Sequence, residues 1–238
     1  MTVHRGDEGG PATRKGRETR QRIVDAAADL IYERGVAAAS LDDVGRTTRT
    51  SKSQLYHYFS GKNALVGAVI DRQRERILAF QRPVLEALAT WEDITSWRDM
   101  IVVLQRELGC RGGCPLGSLA NELAELDETA RVRLAEAIGS WEQLLADGLA
   151  TMAQRGELRS DADPATLALS VMASLQGGLL LAKTTRSTYP LEVALDAAIA
   201  YLRTFASPDP TRRAASEGDR THGPALRGGR SPGARMRQ

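Results

Sequence analysis

The chain is poor in the residues that most catalytic and metal sites require. Its 238 residues include three histidines, His4, His57 and His222, with none between positions 58 and 221. A Ser-His-Asp or Cys-His device therefore has no base in the central part of the chain. Cys110 and Cys114 are the only two cysteines, too few for the four Cys/His ligands of a structural zinc site. No glycine-rich phosphate loop follows a strand. The expectation is no catalytic residue, no metal ligand and no cofactor. No unbroken apolar run approaches the roughly 18 residues that suggest a membrane span. The opening MTVHRGDEGGPATRKGRETR lacks the apolar centre of a secretory signal. A cytoplasmic protein with no membrane partner is expected.

Charge is scarce in net but segregated along the chain. Residues 1–62 carry 11 Lys/Arg against 8 Asp/Glu, residues 63–206 carry 14 against 19, and residues 207–238 carry 7 against 3. An acidic body with basic ends suits a protein that turns one end towards a polyanion. Residues 1–18, rich in Gly, Arg and Thr, predict a flexible arm, and the Pro-, Gly- and Arg-rich residues 207–238 predict a disordered basic tail. Between them proline is sparse, Ala and Leu abound and strand-like alternation is missing, which predicts an all-α fold.

The first helix is expected from Thr19 to Arg34, with Ile23, Ala27, Leu30 and Ile31 on one face and Gly35 as its stop. Ser40 caps a short second helix, with Asp42 and Asp43 in its first turn, and Ser51 caps a third that runs to Tyr58 on Leu55 and Phe59. A fourth starts near Lys62 and is expected to reach Phe80, before Pro83. Five more are expected: 94–108, one opening at Pro115, one from Glu128 to Arg155, one from Pro164 to Lys183, and one from Pro190 to about Ala206. The domains expected are a helix-turn-helix head at 19–65 and a helical body at 66–206.

Three short helices with a tight turn between the last two fit a helix-turn-helix, whose second helix enters the major groove. The stretches TRQRIVDAAADLIYERG, SLDDV and SKSQLYHYFSGKNAL make residues 19–65 resemble the DNA-binding domain of the TetR family of bacterial regulators. The motif positions are Ser51, Lys52, Leu55, Tyr56, Phe59 and Lys62. Two of only four lysines fall on them in a chain with 28 arginines. The departure is in the turn. The family tends to Ala-Gly-Val-Ser, and here the residues are Thr48-Arg49-Thr50-Ser51, so Arg49 takes a position that favours positive φ, at a cost of about 1 kcal/mol or a shifted turn. The resemblance implies that Thr50, Ser51 and Lys52 contact phosphates and that Tyr56 and Lys62 clamp the backbone, with Arg49 adding a cation. It implies that Ser53, Gln54 and His57 reach base edges of double-stranded operator DNA.

In proteins of that family the body encloses a ligand cavity. The resemblance therefore makes Trp97, Met100, Trp141 and Met172 candidates for lining a site for a largely apolar small molecule, with Asn121 and Gln176 orienting it. Gly113-Cys114-Pro115-Leu116-Gly117-Ser118 is similar to a YxaF-like subgroup. Ala165, Ala168, Ala173, Gly177 and Gly178 on one late helix and Ala194, Ala197 and Ala198 on the other permit close approach, and the family's usual four-helix dimer interface would use them. The leading expectation is a homodimeric repressor released by a ligand. Two others remain open: a redox-switched regulator using Cys110 and Cys114, and a small-molecule-binding protein or enzyme with a vestigial head.

Overall fold

Nine helices form among residues 13–208, the part of the chain that the computed structural model describes. Positions 1–12 of the expected arm and 209–238 of the expected tail lie outside it. The first helix, α1 (Arg14–Arg34), begins five residues earlier than its apolar pattern shows. Thr13 caps it, its Oγ1 accepting from the Gly16 amide at 3.1 Å, and Arg14 pairs with Glu18 one turn on. These contacts are polar, so hydrophobic periodicity did not reveal them.

Capping residues set the next starts. Ser40 opens α2 (Leu41–Thr48) and Ser51 opens α3 (Lys52–Tyr58), each in a reciprocal capping box, with Asp43 and Gln54 as the answering side chains. Then α4 (Lys62–Glu86) runs through Pro83 rather than stopping at Phe80. Proline removes one amide and leaves the Ala79 carbonyl without its helical donor. Leu85 and Leu88, both without accessible surface, hold the last turn in the core and offset that loss.

The body follows as α5 (Trp91–Glu107), α6 (Pro115–Leu123), α7 (Glu128–Gln154), α8 (Pro164–Thr185) and α9 (Tyr189–Arg203). The start of α5 precedes the expected 94 because Thr90 and Asp93 form another capping box. The end of α9 falls short of Ala206 because the chain there pairs with the α7–α8 loop: the Arg159 amide donates to the Phe205 carbonyl at 2.8 Å, and that of Ser207 to Glu157 at 3.0 Å. One continuous apolar core joins head and body, from Ile23 and Phe59 through Val69 and Leu85 to Leu202. The expected boundary at 65/66 therefore falls inside α4.

The pair α8 and α9 forms an antiparallel hairpin on α7. With a mean hydropathy of 1.6 over its most apolar 18 residues, α8 is long and apolar enough to cross a membrane by length and composition, although no unbroken apolar run announced it. The small residues of α8 and α9 divide between two faces. Ala168, Gly178 and Ala198 are buried inside the hairpin, where a Cβ on Gly178 would stand 3.0 Å from Leu191 Cα. Ala173, Gly177 and Ala197 are exposed. So only part of the expected small-residue set is available to a second subunit.

A polar node sits in the middle of the body. Gln81 of α4, 4% exposed, accepts from Trp97 Nε1 of α5 at 2.9 Å and from Trp141 Nε1 of α7 at 3.0 Å through one carbonyl oxygen. Leaving a buried donor unsatisfied costs about 1–3 kcal/mol. Gln81→Leu removes the acceptor of both indoles and should cost at least about 2 kcal/mol. The expected result is a lower urea midpoint at unchanged slope, and an unchanged midpoint would show that the indoles find other acceptors.

Candidate functional site

The turn between α2 and α3 determines what α3 can present. Arg49 adopts the left-handed conformation, φ 53° and ψ 38°, that the glycine position of such a turn calls for. The Thr50 amide donates to the Gly45 carbonyl at 2.9 Å and the Arg49 amide to Arg46 at 3.4 Å, a Schellman closure of α2. Gly45 makes it possible, since a Cβ there would meet the Thr50 carbonyl oxygen at 2.9 Å. Thr48 Oγ1 donates to Thr50 Oγ1 at 2.9 Å, and both residues are buried. Thr50, expected at a phosphate, instead stitches the turn from inside.

On α3, Leu55 is buried and Lys52, Ser53, Gln54, Tyr56 and His57 are exposed, so the side chains expected to face DNA share the open side of the helix. Arg46, Arg49 and Lys52 line an open groove that also takes in Ser51 and Leu55. Arg46 was not singled out in the sequence. Its spacing of three from Asp43 was the available signal, and the two form an ion pair. Hydrogen bonds from Ser40, then Arg46, hold the Asp43 carboxyl down at about 2.

Two expected DNA contacts already have other duties. Gln54 Oε1 accepts from the Ser51 amide at 3.1 Å in the capping box, which leaves its Nε2 as the outward donor. Bidentate pairing with adenine needs both atoms, so it would require the cap to open. Lys62 is half-buried and donates to the Val36 carbonyl at 2.6 Å. That bond takes one of its three protons and ties the α1–α2 loop to the start of α4.

The residues expected around a ligand do not form one lining. Trp97 has no accessible surface and so borders no water-sized space, and Trp141 and Met172 are at 3% and 2%. Met100 is half-buried. Asn121 is exposed on α6, off the side formed by the buried Leu116, Leu119 and Leu123, which corrects the expectation that it orients a molecule inside the body. Gln176 remains as a buried polar group. Its Nε2 has no hydrogen-bond partner of ordinary geometry and lies near Cys114. Cys114 caps α6, its Sγ accepting from the Gly117 amide at 3.4 Å. Burial pushes this thiol up, so little of it is thiolate at neutral pH, which disfavours a redox switch at this position.

A short helix with exposed donors, fastened by a tight turn to the helix before it, defines a helix-turn-helix DNA-binding protein. Residues 23–69 match the family described as bacterial regulatory proteins, tetR family, and residues 91–198 match the tetracyclin repressor-like C-terminal domain. An HTH-type transcriptional regulator in the lacX 3′ region of Lactococcus lactis is 30% identical over 185 residues, 76% of this chain and 91% of that protein. The transcriptional repressor DhaR of Mycobacterium sp. strain GP1 is 25% identical over 73% of this chain and 86% of its own. A TetR transcriptional regulator from Chloroflexus aurantiacus superposes with a TM-score of 0.70 at 27% identity, over 82% of this chain and 99% of that one. The chain belongs to the TetR family and is a DNA-binding transcriptional regulator.

Arg49 gives the turn a testable conflict between stability and binding. A non-glycine residue in the left-handed region costs about 1 kcal/mol, and the same side chain supplies a cation to the groove. Arg49→Gly should raise the thermal midpoint and weaken binding to every DNA sequence alike, with a salt slope shallower by about one. A variant with raised stability and unchanged DNA affinity would remove Arg49 from the interface.

Proposed function

We propose that the protein is a homodimeric repressor, and not an enzyme, that leaves its operator when a small, largely apolar molecule enters the helical body. It acts in the cytoplasm, where operator DNA is. The observation that carries the reading is the exposed donor face of α3 beside the groove of Arg46, Arg49 and Lys52. In this reading Arg49, Lys52 and Tyr56 hold phosphates, while Ser53, Gln54 through Nε2 and His57 address base edges. Ser51 acts by capping α3, and Lys62 by holding the loop before α2, with its remaining protons towards the backbone. The repressor DhaR, similar over most of its length, supports repression over activation.

Dimerisation is supported by an apolar row that the chain leaves open. Leu169, Ala173, Gly177 and Leu180 recur at helical spacing on α8, and Tyr189, Val193, Ala197 and Tyr201 on α9, and all eight are exposed. A contiguous patch of this kind marks an interface, and two such hairpins make a four-helix bundle. Reading two half-sites about 34–36 Å apart needs two heads. Leu180→Glu should give a monomer by sedimentation with a folded helical spectrum and a large loss of operator affinity. A dimer that persists would move the interface elsewhere.

For the ligand, the unpartnered Gln176 Nε2 supports a molecule that is apolar for the most part and carries one acceptor oxygen. Entry requires Trp97, Trp141 and Met172 to part, so binding and a change of shape are one event. Coupling of about 1–3 kcal/mol corresponds to a 5- to 150-fold release, and operator DNA must weaken the ligand by the same factor. Compounds found by thermal shift are to be titrated with and without DNA selected from a random library. Hits that all bind equally well in both titrations would sink ligand release.

A further inference from the structure

Helix α6 touches the head at both ends. Ahead of its first turn, Tyr32 of α1 directs its hydroxyl at the carbonyls of Arg111 and Gly113, each 3.1 Å away. At its last turn, Glu122 Oε2 accepts the amide proton of Val36, in the loop between α1 and α2, at 2.7 Å. Gly35 makes room for that carboxylate, since a Cβ there would stand 3.1 Å from both of its oxygens. The same Val36 residue is held through its carbonyl by Lys62 at 2.6 Å. Lys62 opens α4 three residues after Phe59, where α3 ends. One residue of the head is thus gripped by the body through its N–H and by the start of α4 through its C=O.

A carboxylate on an amide makes a charge-assisted bond, roughly twice as strong as a neutral one. The carboxylate belongs to a short helix whose other end carries Gly117, where a Cβ would lie 2.7 Å from Gln176 Oε1 of α8. So α6 reaches from the side chain of Gln176 to the loop that sets α2 and α3. The body is closed around Trp97, which has no accessible surface.

We propose that Glu122 is a positioning residue: through the Val36 amide it fixes the angle of each head so that two recognition helices meet one operator. The inference rests on the dimeric regulator proposed above. It separates spacing from contact, because Glu122 lies on a body helix and outside the α3 face. Breaking the bond loosens the head against α6 while the Tyr32 contacts remain. Binding to two half-sites at once then requires an ordering that the intact bond supplies, whereas binding of one head to one half-site does not.

The test uses the duplex that the wild-type dimer selects from a random library, and the same duplex cut to one half-site. Glu122→Ala should weaken the full site at least about fivefold and leave half-site affinity unchanged. Glu122→Gln keeps an acceptor oxygen without the charge and should fall between wild type and Glu122→Ala, which also guards against a variant that merely misfolds. Sedimentation and helical content are expected to match wild type. Equal losses on both duplexes would mean that the residue only supports the fold of the head, and no loss on either would mean that the bond does not set the spacing. Either result overturns the proposal. A wild-type protein that selects no two-part site would instead defeat the dimeric-regulator reading, and is recognised before any variant is made.

Discussion

The fold depends on a single helix that runs through both ends of one continuous core. The first turns of α4 pack on α1 under the recognition helix, and its last turns carry Gln81 and Leu85 into the body. Arg72 and Arg76 of α4 both reach Asp25 of α1, at 2.6 and 2.8 Å, and Arg76 also holds Asp29 at 2.7 Å. Arg133 of α7 reaches Asp71 of α4 at 2.8 Å. Burial pushes the Asp25 carboxyl up, but hydrogen bonds from Arg72, Gln21 and Arg76 outweigh it and leave it lowered. Each pair is about one-third exposed or more, so none contributes more than about 1 kcal/mol. Their value is directional: they fix the rotation of α4 against both neighbours while the apolar core supplies the bulk of the energy.

With α4 fixed in this way, the head has few independent degrees of freedom. Its contacts with the body include α4 itself, Tyr32 on the loop leading into α6, and Val36 under Glu122. Cys114 belongs to the same region as the cap of α6, and its buried thiol is better suited to ending a loop than to sensing an oxidant.

Local interactions were legible in the sequence, and distant ones were not. Ser40 and Ser51 announce helix starts because a cap and its partner lie within three residues. The left-handed Arg49 was legible through the resemblance, which places it where the family's turn tends to carry glycine. The exposed side of α3 followed from Leu55 and Phe59 pointing the other way. By contrast, Glu122 and Val36 are 86 positions apart and Gln81 and Trp141 are 60 apart, so no periodicity links them. The ligand residues were the least legible. Trp and Met fill cores and line pockets with equal ease, and a polar residue such as Asn121 on a largely apolar helix carries no mark of the side it faces. The small residues of α8 and α9 likewise signalled close approach without saying whether to a partner helix of the same chain or of another.

The capping box of α3 also limits how this head can change over evolutionary time. Gln54 closes its own helix through the Ser51 amide while standing among the side chains that face outward. A substitution there alters helix initiation together with any contact, so a lineage acquiring a new target sequence meets a stability barrier at this site. His57 has no such obligation. Its ring leans edge-on against Tyr58 at 5.1 Å between centroids and makes no contribution to the cap. Divergence among close descendants of this protein should therefore accumulate at position 57 before position 54, and the only cheap exchange at 54 is for a residue with a carbonyl at the same reach, such as Glu.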